Sequence, residues 1–303
     1  MKNKRSNEVM KKLIAVAVAI CSLFCTFALT GCGSTGTGST EYETVTVYIS
    51  GSSSVSPLMA KLGDAFLATE PLVVVKENGK DVVKKVELSL TTSDSGQGVS
   101  DVISGTSEIG MASREIKSEE IEQGAVGEVL CYDGIVLITH KENAESNITQ
   151  QQLYDLYYNG TAIGTIQKAI TRESSSGTRG AFDELVFKPL DADFASKSFA
   201  ADVVSEANST GLVTEKIVND VEKNTIGYIS LGSLDDSVKA LTYEGIEGTV
   251  ENIMNDTYKL YRPFNLVFKD GVELSPAAQK FMDFINSEEG QAIISDGYIP
   301  LEK

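Results

Sequence analysis

The 303-residue chain has no tryptophan, one histidine, four cysteines and six prolines. A single His140 and scattered cysteines leave no cluster at metal-ligand spacing, so neither a metal site nor another cofactor is expected. Cys21 and Cys25 fall inside the one long apolar run, Cys32 follows it, and Cys131 stands alone in the rest. One internal thiol closes no intramolecular disulfide, and its apolar surroundings read as those of a small buried hydrophobe. Positive charge is also scarce, with 26 Lys+Arg against 43 Asp+Glu and a net charge of −17. That balance argues against nucleic acid or an anionic lipid surface as partner. It leaves a small anion possible, because a buried site answers to local dipoles rather than to net charge.

The scarce basic residues are concentrated at the start. Lys2, Lys4, Arg5, Lys11 and Lys12 precede an apolar run over 13–29, which ends in Leu29-Thr30-Gly31-Cys32. A basic segment, a short apolar core and small residues before the cut describe an export signal over residues 1–31. The run is slightly shorter than the roughly 20 residues of a membrane-spanning helix. Its Leu-Thr-Gly-Cys ending resembles the bacterial lipobox, which implies that Cys32 is diacylated and becomes the first residue of the mature chain. Removing five basic residues and Glu8 leaves 21 Lys+Arg against 42 Asp+Glu, a charge of −21. The Gly/Ser/Thr run over 33–40 buries nothing and is read, within residues 32–43, as a flexible tether. The protein is thus expected outside the cytoplasm, held to the outer face of the membrane by lipid alone.

Strand and helix patterns then alternate. Strands are predicted over 44–49, 82–92 and 134–139, and helices over 57–69 and 98–104. Thr149 with Gln152 forms a capping box for a helix ending near Asn159-Gly160, and Ser275-Pro276 opens another. The alternation predicts an α/β protein with mostly parallel sheets, in one large or two medium domains.

Three times a strand candidate runs into a Ser/Gly-rich turn that opens a helix. The turns are Ser50-Gly51-Ser52-Ser53-Ser54-Val55-Ser56-Pro57, Thr92-Ser93-Asp94-Ser95-Gly96-Gln97-Gly98, and Arg172-Glu173-Ser174-Ser175-Ser176-Gly177-Thr178-Arg179. Each offers free N–H groups at a helix start, a dipole favouring negative charge, and rotatable hydroxyl donors. Any one of them alone is an ordinary serine N-cap; their repetition, with Arg172 beside the third, points to a tetrahedral anion. None has the spacing of a nucleotide P-loop.

At these residues the chain resembles the phosphate-binding lipoproteins of bacterial phosphate-specific ABC transporters, in particular the Gram-positive type. Gly51-Ser52-Ser53-Ser54-Val55, Ser95-Gly96, Glu108 through Glu115, the Arg-x-x-x-Ser-Gly-Thr signature of Arg172 to Thr178, and Gly297-Tyr298-Ile299-Pro300 carry the resemblance. It implies a two-lobed type II periplasmic-binding-protein fold with two crossing segments, near 133–136 and 258–264. Lobe 1 would comprise 44–134 and 258–303, and lobe 2 would comprise 135–257. The implied phosphate donors are Ser53, Ser54, Val55 through its backbone, Ser95, Ser113, Arg172, Ser174, Ser176, Gly177 through its N–H, and Thr178. Permease subunits of the transporter are the implied protein partner, and the chain itself is expected to be a monomer.

Gram-negative members place at the Ser113 position an aspartate that accepts the phosphate proton. Asp133, Asp94 and Glu115 are the candidates to replace it here, with Arg114 expected to partner Glu115 or the cleft and Arg172 expected to be the one cation on the ligand. The segment 159–171 is also shorter than in the family. A sulfate or molybdate carrier, and a surface lipoprotein for adhesion or signalling, are the competing readings. A serine hydrolase would need His140 as base and a nucleophile elbow that the sequence lacks, so no catalysis is expected.

Overall fold

The computed structural model describes residues 42–301; the export signal, Cys32 and the tether up to residue 41 lie outside the described residues. Strand β1 (Thr44–Ser52) buries Val47 and Ile49 and runs through Ser53-Ser54-Val55 into α1 (Ser56–Ala68). Pro57 sits in the first turn of α1, where a missing N–H costs nothing, and Leu58, Met59, Leu62 and Phe66 form the buried stripe. Strands β2 (Leu72–Glu77) and β3 (Lys80–Ser93) make a hairpin on Asn78-Gly79, both with positive φ (51° and 77°). That geometry matches strand twist, and the Asn-Gly pair between β-branched runs was its signal. The sequence reading found β3 and missed β2.

The chain continues through α2 (Ser95–Ser104), β4 (Ile109–Ala112), α3 (Ser118–Glu122) and β5 (Ala125–Thr139). Then follow β6 (Asn147–Ile148), α4 (Gln150–Asn159) with its Thr149/Gln152 capping box, β7 (Lys168–Arg172) and α5 (Gly177–Phe182), which runs on as a π-helical turn (Asp183–Phe187). After β8 (Val204–Ala207), α6 (Thr210–Val218), β9 (Thr225–Ser230), β10 (Lys239–Tyr243) and α7 (Val250–Met254) come β11 (Tyr261–Lys269), α8 (Pro276–Ile285) and α9 (Glu288–Ser295).

The strands hydrogen-bond in the order β2-β3-β1-β4-β11-β5-β9-β7-β8, with β10 joined to β5 and β6. This sheet is mixed, which corrects the expectation of mostly parallel pairing. Strand–helix–strand crossovers give parallel pairs at β1–β3, β1–β4, β7–β8 and β7–β9. The long β5 and β11 instead run antiparallel to each other and to their neighbours. β5 changes partner midway: Ala125 to Gly134 pair with β11, and Ile135 to Thr139 with β9.

One hydrophobic cluster gathers around Val47, Leu58, Phe66, Phe264 and Phe281, and another around Leu153, Tyr157, Phe182, Phe187 and Tyr228. Cys131 belongs to the first; burial, with Asp133 adding to it, pushes its thiol well above the usual range. Among the described residues no helix is long and apolar enough to cross a membrane.

Candidate functional site

Each of the three Ser/Gly turns ends a strand and starts a helix: β1 into α1, β3 into α2, and β7 into α5. A fourth such turn, from β8 into α6, carries Ser209 as the N-cap and Thr210 as the first helical residue. Their hydroxyls meet at one buried place. Ser54 Oγ lies 2.8 Å from Thr178 Oγ1 and 3.1 Å from Thr210 Oγ1. Ser113, just after β4, has its Oγ 3.3 Å from Ser95 Oγ and 3.5 Å from Thr178 Oγ1, and it accepts a hydrogen bond from Ser52 Oγ at 3.0 Å. The Ser113 N–H donates to Ser95 Oγ at 3.0 Å. Only glycine fits at 177, because a Cβ there would collide with the hydroxyls of Ser95 and Ser113.

Two guanidinium groups reach this cluster. Arg172, 2% exposed at the end of β7, donates from Nη1 to Thr210 Oγ1 and from Nη2 to Ser53 Oγ, both at 3.3 Å. The same side chain grips Glu173 through Nε (2.9 Å) and Nη2 (2.7 Å), and Nε also faces the Ala207 carbonyl at 3.2 Å. Arg262, 2% exposed on β11, donates from Nη2 to Thr178 Oγ1 at 3.3 Å. Its Nη2 also stands 3.2 Å from Asp133 Oδ2. Asp133 spends its other oxygen on Ser230 Oγ (2.8 Å) and the Gly232 N–H (3.3 Å). Burial pushes the Asp133 carboxyl up to about 6, opposed by Arg262 and by these hydrogen bonds. Burial also lowers Arg262 to about 10, against the pull of Asp133. Each buried arginine therefore has one carboxylate beside it, and neutral hydroxyls fill the space between.

The structure thus brings together Ser53, Ser54, Ser95, Ser113, Arg172 and Thr178 from the sequence reading, with Gly177 and the buried Ser176 beside them. Ser176 Oγ caps α5 by accepting the Arg179 N–H. Ser174 is not with the group: it is exposed and lines a separate crevice with Tyr158, Arg179 and Phe199, because the turn bends its side chain outward. The Val55 N–H is already donated to the Ser52 carbonyl at 3.1 Å within the turn. Asp133 is hydrogen-bonded to none of the clustered hydroxyls; it stands beside them, with Oδ2 3.2 Å from Arg262 Nη2. Asp94 is the N-cap of α2, accepting the Gln97 N–H at 2.9 Å, and Glu115 is exposed. Arg114 pairs not with the Glu115 carboxylate but with Glu120, through bonds of 2.8 and 2.7 Å.

Four participants were missed. Ser52 is the neighbour of residues already singled out. Glu173 looked like a turn residue. Thr210 had a legible signal, since Ser209-Thr210-Gly211 after a β-branched segment repeats the composition of the other turns. Arg262 had none, as it lies in an apolar strand far along the chain. It also shows that Arg172 is not alone as a cation at this cluster. His140 follows β5, with its Nδ1 accepting the Glu142 N–H at 3.1 Å, and it is not hydrogen-bonded to a clustered hydroxyl.

Comparison with known proteins meets this geometry. A model described as the PBP superfamily domain matches residues 35–289. The phosphate-binding protein PstS 2 of Streptococcus agalactiae is 41% identical over 141 residues, covering 46% of this chain and 47% of that one. The chain so spans about half the length of that relative. The phosphate-binding protein PstS of Borreliella burgdorferi is 26% identical over 261 residues, covering 82% of this chain and 88% of that one. A crystal structure of a candidate phosphate ABC transporter substrate-binding protein from Clostridium perfringens, with bound phosphate, is 34% identical with a TM-score of 0.72. That match covers 85% of this chain and 100% of the other. The chain belongs to the PBP superfamily, and it is similar over most of its length to a protein described as a phosphate ABC transporter substrate-binding protein. Its fold is the type II periplasmic-binding-protein fold, in a family of solute binders rather than enzymes.

Proposed function

We propose that the protein captures inorganic phosphate at the Ser54–Thr178 cluster and delivers it to an ABC permease. The observation that carries this reading is the meeting of hydroxyls from four helix starts with Arg172 at one buried point. Such a site offers a tetrahedral anion many short-range donors and little net charge, so binding relies on preformed dipoles. The names of the relatives and the phosphate held by the Clostridium perfringens protein support the choice of anion.

In this reading, lobe 1 comprises 44–134 and 258–303, lobe 2 comprises 135–257, and the anion lies between them. The switch of β5 from β11 to β9 after Gly134 supports a boundary there. The protein works as a monomer outside the cytoplasm and performs no chemistry on its ligand. Cys32 carries the lipid that holds it to the membrane, an arrangement supported by Leu29-Thr30-Gly31-Cys32. A Cys32→Ala protein should leave the membrane fraction for the medium; retention in the membrane contradicts the anchor.

A carrier of another oxyanion is the second reading, since hydroxyls and arginines serve sulfate as well. The deciding experiment is calorimetric titration of anion-stripped protein with phosphate, then sulfate, arsenate and molybdate. Phosphate and arsenate should bind and sulfate and molybdate should not. Tighter binding of sulfate or molybdate than of phosphate overturns the reading.

A further inference from the structure

Arg172 and Arg262 look equivalent in charge and burial, yet their hydrogen bonding differs. Every nitrogen of the Arg172 guanidinium has a protein acceptor: Glu173 and Ala207 for Nε, Thr210 for Nη1, and Glu173 and Ser53 for Nη2. The Nε and Nη1 of Arg262 have none among the described residues, although both are buried. Asp133 does not relieve this. Its Oδ1 is taken by Ser230 and Gly232, and its Oδ2, 3.2 Å from Nη2, is not aligned for a hydrogen bond and has no other partner. The ring of Phe264 lies 5.4 Å from the guanidinium carbon and offers no acceptor for these donors.

A buried guanidinium with two donor nitrogens that no protein acceptor meets is costly, and a cation–π contact does not replace the missing hydrogen bonds. The remaining Nη2 donates to Thr178 Oγ1, which is itself 2.8 Å from Ser54 Oγ in the centre of the hydroxyl cluster. The group is therefore buried, short of acceptors, and one hydroxyl away from the site. Its backbone position adds a consequence. Arg262 and Asp133 are register partners on β11 and β5, next to the point where β5 leaves β11 for β9.

We propose that Arg262 is a second cation in contact with the bound anion, approaching it from the two long strands while Arg172 approaches from the β7–α5 turn. This rests on the assignment of the cluster as the phosphate site. An anion seated against Thr178 gives Arg262 the acceptor it lacks. It also ties the crossing strands β5 and β11 to the ligand, so that occupancy of the site is felt where the sheet changes partners. Asp133 is the positioning residue that keeps the guanidinium at the floor of the site, and its attraction opposes the lowering of the arginine by burial.

The test uses anion-stripped wild-type protein, Arg262→Gln and Arg262→Lys, each titrated with inorganic phosphate by calorimetry and checked for a wild-type circular dichroism spectrum. Losing a charge-assisted contact to a buried anion should weaken binding about 30-fold or more in Arg262→Gln, with Arg262→Lys in between. In the ¹H–¹⁵N spectrum of the wild-type arginine side chains, the Nε–H signal missing from Arg262→Lys should shift when phosphate is added. That readout stands even if Arg262→Gln fails to fold. Two folded variants binding within about twofold of wild type overturn the role of Arg262. So does an Nε–H signal that phosphate leaves in place. A wild-type protein that ignores phosphate overturns instead the assignment of the site, and the proposal with it.

Discussion

The hydroxyls of Ser54 and Thr178 lie 2.8 Å apart although 124 residues separate them in the chain. Ser54 precedes α1 and Thr178 lies in the first turn of α5, so the contact joins the side of the sheet that holds β1 to the side that holds β7. Neither side presents the whole donor set, because Ser95 and Ser113 accompany Ser54 while Arg172 and Thr210 accompany Thr178.

The first prediction follows from that division. An anion that needs both sets of donors should favour a closed arrangement of the two proposed lobes. Small-angle scattering of the stripped protein should give a smaller radius of gyration after phosphate is added. An unchanged radius at saturation argues against closure.

Arg172 should matter more than the nearby Arg179. The Arg172→Ala variant removes a buried cation and leaves Glu173 without its partner, for a loss of about 2–5 kcal/mol in phosphate binding. Arg179 instead supports the turn, donating from Nη1 to the Arg172 carbonyl at 3.0 Å and pairing with Asp183. Arg179→Ala should cost less than about 1.4 kcal/mol in binding, a factor below ten. Calorimetry on both variants decides, and the opposite order sinks the assignment.

Asp133 is the candidate carboxylate that stands beside the cluster, since Asp94 caps α2 and Glu115 faces solvent. Its Oδ2 is buried without a hydrogen-bond donor among the described residues. Protonated phosphate can supply one and fully ionised sulfate cannot. Asp133→Asn should therefore weaken phosphate by about tenfold while sulfate stays flat or improves. Full discrimination in the variant, measured by paired titrations, would place selectivity elsewhere.

A fourth prediction concerns pH. Asp183 opens the π-helical turn after α5, largely buried, with Oδ1 unpartnered among the described residues. Burial pushes its carboxyl up to about 7 in spite of Arg179. A raised value means that the folded protein holds this proton more tightly than the unfolded chain does. The favourable contribution is complete below about 4 and is lost as pH rises to about 7. Asp183→Asn should accordingly be more stable than wild type at pH 8, by on the order of 2–4 kcal/mol. The two should converge near pH 4. Thermal melts at both pH values test this, and equal melting temperatures at pH 8 refute it.

Much of this protein is determined by local sequence. Ser176, Ser275 and the Thr149/Gln152 box cap helices where their composition says they should. The Ser/Gly turns over 50–57, 92–98 and 172–179 begin helices because capping and backbone freedom act over a few residues, and the alternation of patterns follows from burial on one face. Tertiary structure alone decided the rest. Antiparallel β5 and β11 are a property of how the chain passes across the sheet, which no window of sequence contains. Ser174 and Ser176 are chemically alike, yet one faces solvent and the other is buried, because the turn fixes their directions. Arg262 joins Thr178 across 84 residues, and Asp133 joins Ser230 across 97. Such contacts depend on which strands become neighbours, and that is settled by the packing of whole elements rather than by any residue's own preference.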